Sequence, residues 1–291
     1  MVIKNAMTID VEDYFHVSAF EKHISRSHWP RLQCRIERNM DLILGLLDKH
    51  HIHATFFMLG WVAENYPQIA RSIVDNGHEL ASHGYHHVRV TNQQKDEFRQ
   101  DITRTKKLLE DITSTAVDGY RAASYSIGEE NLWAHDEMRE AGYLYSSSIY
   151  PISHDHYGMP SAPRFLYTPI DGDDFLEIPI TTANVFGKRL PGGGGGYFRL
   201  YPYWVSRWML QRVNRVDGQS GIFYFHPWEI DPEQPRQNGI GLKTRFRHYL
   251  NLKKMESRLN RLFADLEWDR MDRVFLKYDV GQEPVSTGDS L

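Results

Sequence analysis

The chain has 291 residues, 41% hydrophobic and 25% charged, which supplies a sizeable core for one large domain and excludes an extensively disordered chain. A net charge of -4, from 34 Lys and Arg against 38 Asp and Glu, provides no grip on a phosphate backbone and argues against nucleic acid as a partner. Cys34 is the single cysteine, so an internal disulfide and a thiolate metal cage are excluded, and any metal must rely on histidine and carboxylate ligands.

Ala6–Val11 reads as a buried strand, followed by an amphipathic helix over about Glu37–Lys49 and a second strand over His53–Leu59. A helix over Val62–Asn76 is expected to stop at Gly77. Then come a short strand at Glu79–Ser82, a helix at Lys95–Asp111, a strand at Val117–Arg121, a helix at Asn131–Ala141 closed by Gly142, and a strand at Leu144–Ser147. This alternation predicts βα units around a parallel sheet. From Pro151 the pattern loosens: His154–Arg164 reads as an irregular loop and Phe175–Pro179 as a strand. The five glycines Gly192–Gly196 suit a close-approach or mobile loop. A helix at Tyr203–Val213, a strand at Ile222–Phe225 and a basic helix at Lys253–Leu266 complete the body, and a polar tail follows Gly281. No stretch reaches the roughly 18 apolar residues of a membrane span. Met1–Asp10 shows no signal-peptide pattern, which points to the cytoplasm or the inner face of the cytoplasmic membrane.

Four clusters carry chemistry. Asp10, Glu12 and Asp13 crowd the end of the first strand, and like charges this close call for a cation or an arginine. Glu12 and Asp13 both remain candidates for a metal ligand, with Glu12 favoured because residues i and i+2 of an extended segment point the same way as Asp10. His83 and His87 follow the third strand and, on a helical turn, would share one face and one ion. Arg121 ends the next strand, where a guanidinium can orient a carboxylate. His226 ends the apolar run Ile222–Phe225, a place suited to a general acid whose tautomer a carboxylate fixes. Taken singly, each has a blander reading as a cap, a core histidine or a surface arginine.

Their order resembles that of the NodB-type polysaccharide deacetylases, carbohydrate esterase family 4, over about residues 6 to 228. Asp10-Val11-Glu12-Asp13-Tyr14-Phe15 and the glycine-rich Gly193–Arg199 are similar to a subgroup linked to exosortase systems in exopolysaccharide loci. The resemblance implies an α/β fold, a distorted (β/α) barrel over residues 1–230 that includes a Gly-rich insertion near 187–200, and a C-terminal extension over 231–291. It implies hydrolysis of the acetamide of N-acetylhexosamine residues. A divalent metal, zinc or else cobalt, would be held by His83, His87 and Glu12 or Asp13. Asp10 would be the base, Arg121 its partner and His226 the acid. A backbone N–H near Ser124–Tyr125 would stabilise the oxyanion. Ala123 stands where relatives carry proline, which shifts the position of that donor. Tyr125, Ser124 and Trp228 are the expected substrate contacts, with Tyr197, Phe198, Tyr201, Tyr203, Trp204 and Trp208 as further aromatic candidates for a glycan groove. The rival readings are a metal-independent, allantoinase-like amidohydrolase and an inactive glycan-binding module; retention of both histidines with the base and the acid argues against each. Lys253–Arg261 could touch an anionic membrane or glycan, a solvated helix face being the competing explanation.

Overall fold

Short apolar runs rich in β-branched and aromatic residues build the sheet. The computed structural model describes residues 2–155 and 157–276, so the polar tail beyond Gly281 lies outside the described residues. Strands β1 (Asn5–Val11), β2 (Thr55–Met58), β3 (Glu79–Ser82), β4 (Gly119–Tyr120), β5 (Tyr145–Ser146) and β6 (Leu176–Glu177) lie side by side in chain order, all parallel. A separate antiparallel hairpin is formed by β7 (Thr182–Val185) and β8 (Lys188–Pro191). Both β9 (Ile222–Phe225) and β10 (Trp268–Asp269) pair parallel with β1. Every residue of β1 is buried, as a strand covered on both faces must be.

The sheet curls into the expected α/β architecture, a distorted (β/α) barrel. Between β6 and β9 the ladder is replaced by loop contacts: the Ile222 N–H donates to the Thr181 hydroxyl at 2.5 Å and the Tyr224 N–H to the Gly193 carbonyl at 2.7 Å. The outer layer comprises α1 (Ile36–Lys49), α2 (Gly60–Asn65), α3 (Pro67–Asp75), α4 (Lys95–Thr113), α5 (Ala134–Glu140), α6 (Gly195–Leu200), α7 (Tyr203–Arg212), α8 (Leu242–Tyr249), α9 (Met255–Asp265) and α10 (Met271–Phe275). In α1 the buried Ile36, Met40, Ile43 and Leu47 recur at helical spacing, which is why this segment packs as a helix against the sheet.

Several elements differ from their sequence expectation. The helix expected over Val62–Asn76 is two helices, because Pro67 forces Tyr66 out of the helical region (φ -135, ψ 59). The helix expected from Asn131 begins at Ala134, after a 3-10 turn at Glu129–Asn131, and stops at Gly142, whose φ is +81. The hairpin of β7 and β8 was not foreseen. Its two-residue turn, Phe186-Gly187, has φ of +49 and +78, the paired positive values that a tight hairpin needs. Nor is the glycine run a loop throughout: Gly193 and Gly194 lie against β9, and Gly195 and Gly196 open α6. A Cβ on Gly193 would sit 2.3 Å from the Ile222 carbonyl oxygen, and one on Gly195 would sit 2.3 Å from Glu229 Oε1. Glycine is therefore required there by close approach.

Candidate active site

Parallel pairing sets the ends of β1, β3 and β4 at one level, with β9 ending two residues below β1. Val11 is in register with Met58, Met58 with Ser82, Ser82 with Tyr120, and Ile9 with Phe225. The residues that immediately follow these strands, Glu12, His83, Arg121 and His226, consequently meet over the C-terminal mouth of the barrel.

Glu12 Oε1 lies 3.0 Å from His83 Nε2 and 3.0 Å from His87 Nε2, and all three side chains are buried. The two imidazoles do not converge on a helical turn as the spacing suggested. Residues 83–87 form a bent loop with φ of +72 at Gly84 and +52 at His87. His83 Nδ1 donates to the Arg121 carbonyl oxygen at 2.7 Å, a contact that orients the ring and aims Nε2 at Glu12. Burial alone would raise the Glu12 carboxyl pKa, but the charge of His87, the hydrogen bonds from His83 and His87 and the charge of His226 outweigh it and hold the group well below its usual range. Asp13, left open beside Glu12, is not part of this group. Its Oδ1 accepts from the Tyr14 N–H at 2.7 Å and its Oδ2 from the Arg35 N–H at 2.5 Å. Asp13 thus ties two stretches of backbone together and faces away from the imidazoles.

Asp10 is buried and paired with Arg121, whose Nη1 lies 2.5 Å from Asp10 Oδ1. The fully buried guanidinium also donates to the Thr8 hydroxyl (2.9 Å) and to the Ser147 carbonyl and hydroxyl (3.1 Å each), and it stacks on Phe57. The other Asp10 oxygen, Oδ2, lies 3.8 Å from His226 Nε2.

His226 Nδ1 lies 2.7 Å from Glu229 Oε1, and Glu229 in turn accepts from the buried Arg199 Nε at 2.6 Å. Sequence reasoning identified the histidine but neither of these partners. A carboxylate three residues after His226, within one turn, was the legible signal. Burial acts to lower the His226 pKa, but the hydrogen bond to Glu229 and the charges of Glu12, Glu229 and Asp10 prevail and push it up to about 9.

Ser124 and Tyr125 both adopt left-handed backbone, φ +53 and +50. The Tyr125 N–H is spent on the Ala122 carbonyl at 3.1 Å, so of the two expected donors Ser124 offers the candidate oxyanion N–H. Both residues line the cleft. Trp228 lines it too, but its ring is sandwiched between His226 (5.3 Å) and His248 (4.2 Å) and is 6% exposed. It has no free face for a sugar and instead holds the His226 ring in place. Of the other aromatic candidates, Tyr197 lines the cleft, Phe198 and Tyr203 are core, and Trp204 and Trp208 face solvent.

The cleft has a volume of about 400 Å³. Tyr125, Tyr157, Tyr197 and Tyr224 form much of its wall, with Arg89 and Arg247 contributing cations.

The curled parallel sheet with polar residues gathered at its strand ends is the fold shared by a solved structure classed with the polysaccharide deacetylases and by an allantoinase. Residues 33–146 match the polysaccharide deacetylase family, and residues 147–276 match a domain of unknown function, DUF3473. The polysaccharide deacetylase match thus takes in β2 to β5 and stops short of both β1 and β9. The chain is 34% identical over 96 residues to the peptidoglycan-N-acetylglucosamine deacetylase of Bacillus cereus (33% of this chain, 35% of the relative). It is 34% identical over 113 residues to the peptidoglycan deacetylase of Helicobacter pylori (37% and 36%). The chain thus spans about a third of the length of these curated relatives. A crystal structure from Mycobacterium smegmatis, of a protein classed with the polysaccharide deacetylases, superposes with a TM-score of 0.60 at 18% identity, covering 94% of this chain and 88% of that one. The Puue allantoinase superposes at 0.56 with 15% identity and the same coverage, 94% and 88%. At these identities the two structures speak to the fold. Among the described residues no helix is long and apolar enough to cross a membrane.

Proposed function

We propose that the protein is a metal-dependent N-deacetylase that hydrolyses the acetamide of N-acetylhexosamine residues in a bacterial exopolysaccharide or its precursor, releasing acetate. The observation that carries this reading is the meeting, in one cleft, of a Glu12–His83–His87 group with the Asp10–Arg121 pair and the His226–Glu229 pair. The exopolysaccharide follows from the resemblance to the exosortase-linked subgroup.

The residues fit a metal. Their donor atoms lie within 4.8 Å of one another, and the 3.0 Å separations approach the edge of about 3.3 Å that a tetrahedron of 2.0–2.1 Å bonds would have. Two imidazoles and one carboxylate leave positions open and suit zinc, with cobalt an alternative. Bound there, the ion would supply Lewis-acid polarisation of the amide carbonyl and of the attacking water.

The chain's own groups supply the proton transfers. Asp10, its charge balanced by Arg121, takes a proton from the water that attacks the acetamide carbon. The Ser124 N–H is the donor assigned to the oxyanion that forms, a contact of the kind worth about 3–4 kcal/mol in other hydrolases. As the C–N bond breaks, His226 Nε2–H protonates the departing nitrogen; Glu229 keeps the Nδ1 proton in place and so directs Nε2 into the cleft. Every group in this scheme precedes residue 231, which is the sense in which residues 1–230 form the catalytic barrel and the following segment an extension on it. The extension is not remote: β10 joins the β1 edge, and Phe246, Arg247 and Leu250 line the cleft.

The acid must be protonated to act. With His226 raised to about 9, activity is expected to persist through neutral pH and fall as pH rises through that value. A bound cation, by neutralising Glu12, moves the limb lower. Glu229→Gln removes the largest raising influence, so the alkaline limb of kcat/KM should move to lower pH, which a pH-rate profile reads directly. An unmoved limb would assign it to another group.

The reading as a whole is tested by acetate release from chitooligosaccharides and from a poly-N-acetylhexosamine. Chelation should abolish release, and added zinc or cobalt should restore it. Glycan binding without release would favour the binding-module alternative, and indifference to chelator the metal-independent one.

A further inference from the structure

The helix α8 buries very little of itself: of its eight residues His248 alone is buried, while Leu242 is 85% and Phe246 57% exposed. Spaced four apart, these two apolar side chains share one face, and the exposed cations Lys243, Arg245 and Arg247 surround it. Asp155 accepts from Lys243 Nζ (2.6 Å) and from Arg247 Nη1 (3.3 Å), so on α8 two of the three cations share one carboxylate and the charge balance stays positive. The helix is not a fraying segment. Arg199 Nη1 donates to the carbonyls of His248 and Leu250, 2.8 Å each, and Nη2 to that of Arg247 at 3.2 Å, fixing its C-terminal end. Its position is the rim of the cleft, where Phe246 and Arg247 stand with Leu200, itself 47% exposed.

The contrast with α9 is informative, because the sequence made that basic segment the candidate for a membrane contact. There Met255, Leu259, Leu262 and Phe263 are buried, so the basic face has no apolar residues to insert and is a solvated helix surface. Exposed apolar residues interleaved with cations, the composition of an interfacial helix, occur instead on α8.

We propose that α8, with Leu200, docks the mouth of the cleft on an anionic lipid bilayer. Leu242 and Phe246 enter the acyl boundary, and Lys243, Arg245 and Arg247 meet lipid phosphates. The proposal draws on the deacetylase reading in one respect: a cleft so presented would meet glycans carried on lipid.

The test is flotation of the full chain with phosphatidylcholine vesicles containing or lacking phosphatidylglycerol, beside acetate release from a soluble chitooligosaccharide. The expected result is flotation that requires phosphatidylglycerol and weakens with salt. Leu242→Glu and Arg245→Glu, neither of which lines the cleft, should each lower lipid affinity roughly tenfold and leave acetate release unchanged. Failure of the wild-type chain to float with anionic vesicles, or equal flotation of both variants and wild type, would overturn the proposal. A dimer that Leu242→Glu converts to monomer in light scattering, with no flotation, would assign the face to a second copy and also overturn it. Flotation as expected with no acetate release would sink the deacetylase reading alone.

Discussion

Asp10→Asn is expected to cut acetate release by roughly 10²–10⁴-fold, the range that a positioned general base contributes, while bound metal stays at the wild-type level. Asparagine keeps the shape and can still accept from Arg121 Nη1, which lies 2.5 Å from Asp10 Oδ1, but it cannot take a proton. The substitution leaves the buried guanidinium without its counter-charge. Breaking a buried pair costs about 3–5 kcal/mol when nothing replaces it; here the Thr8 hydroxyl and the Ser147 oxygens remain as acceptors, so a folded but less stable protein is expected. Metal analysis and a melting curve on the same preparation separate loss of the base from loss of the fold. A variant that keeps its full rate would remove Asp10 from the scheme.

His83→Ala should act at the other end of the site. It deletes one of the three proposed ligand atoms, those of Glu12, His83 and His87, and also the contact from Nδ1 to the Arg121 carbonyl. Metal affinity should fall by more than about 100-fold, the upper end of what an outer-shell partner is worth, and acetate release should fall with it. Elemental analysis after dialysis reads the first effect without reference to activity. If the variant retains one tightly held ion per chain, the Glu12–His83–His87 assignment is wrong even if the enzyme is dead.

The elements that hold the site were the most legible. β1, β2, β3 and β9 are buried at every position, and β9, four apolar residues running straight into His226, was the plainest of them. Less legible was anything set by local backbone geometry. His83 and His87 come together at Glu12 through positive φ at Gly84 and His87, a bend that i, i+4 spacing imitates. Asp13 looked equivalent to Glu12 because spacing cannot report that the chain turns after Val11 and sends the Asp13 carboxylate to the Arg35 N–H. The hairpin of β7 and β8 escaped because Phe186-Gly187 lacks the asparagine or aspartate that usually marks such a turn. α8 escaped because it is short, eight residues with a single i, i+4 apolar pair, Leu242 and Phe246, in an otherwise polar stretch. Arg199 could not have been placed at all: its partner Glu229 is 30 positions away, reached only because Gly195 lacks a side chain.

The pairing of β9 with β1 has a consequence for how such a chain can be inherited. Asp10, Glu12, His83, His87 and Arg121 lie before residue 147, whereas His226, Glu229 and Arg199 lie within the segment matched to DUF3473. A fragment ending at residue 146 would keep the groups proposed to activate water and lose the proposed proton donor for the severed nitrogen. On the proposed mechanism, duplication or recombination that separates the two segments would leave neither with a complete reaction.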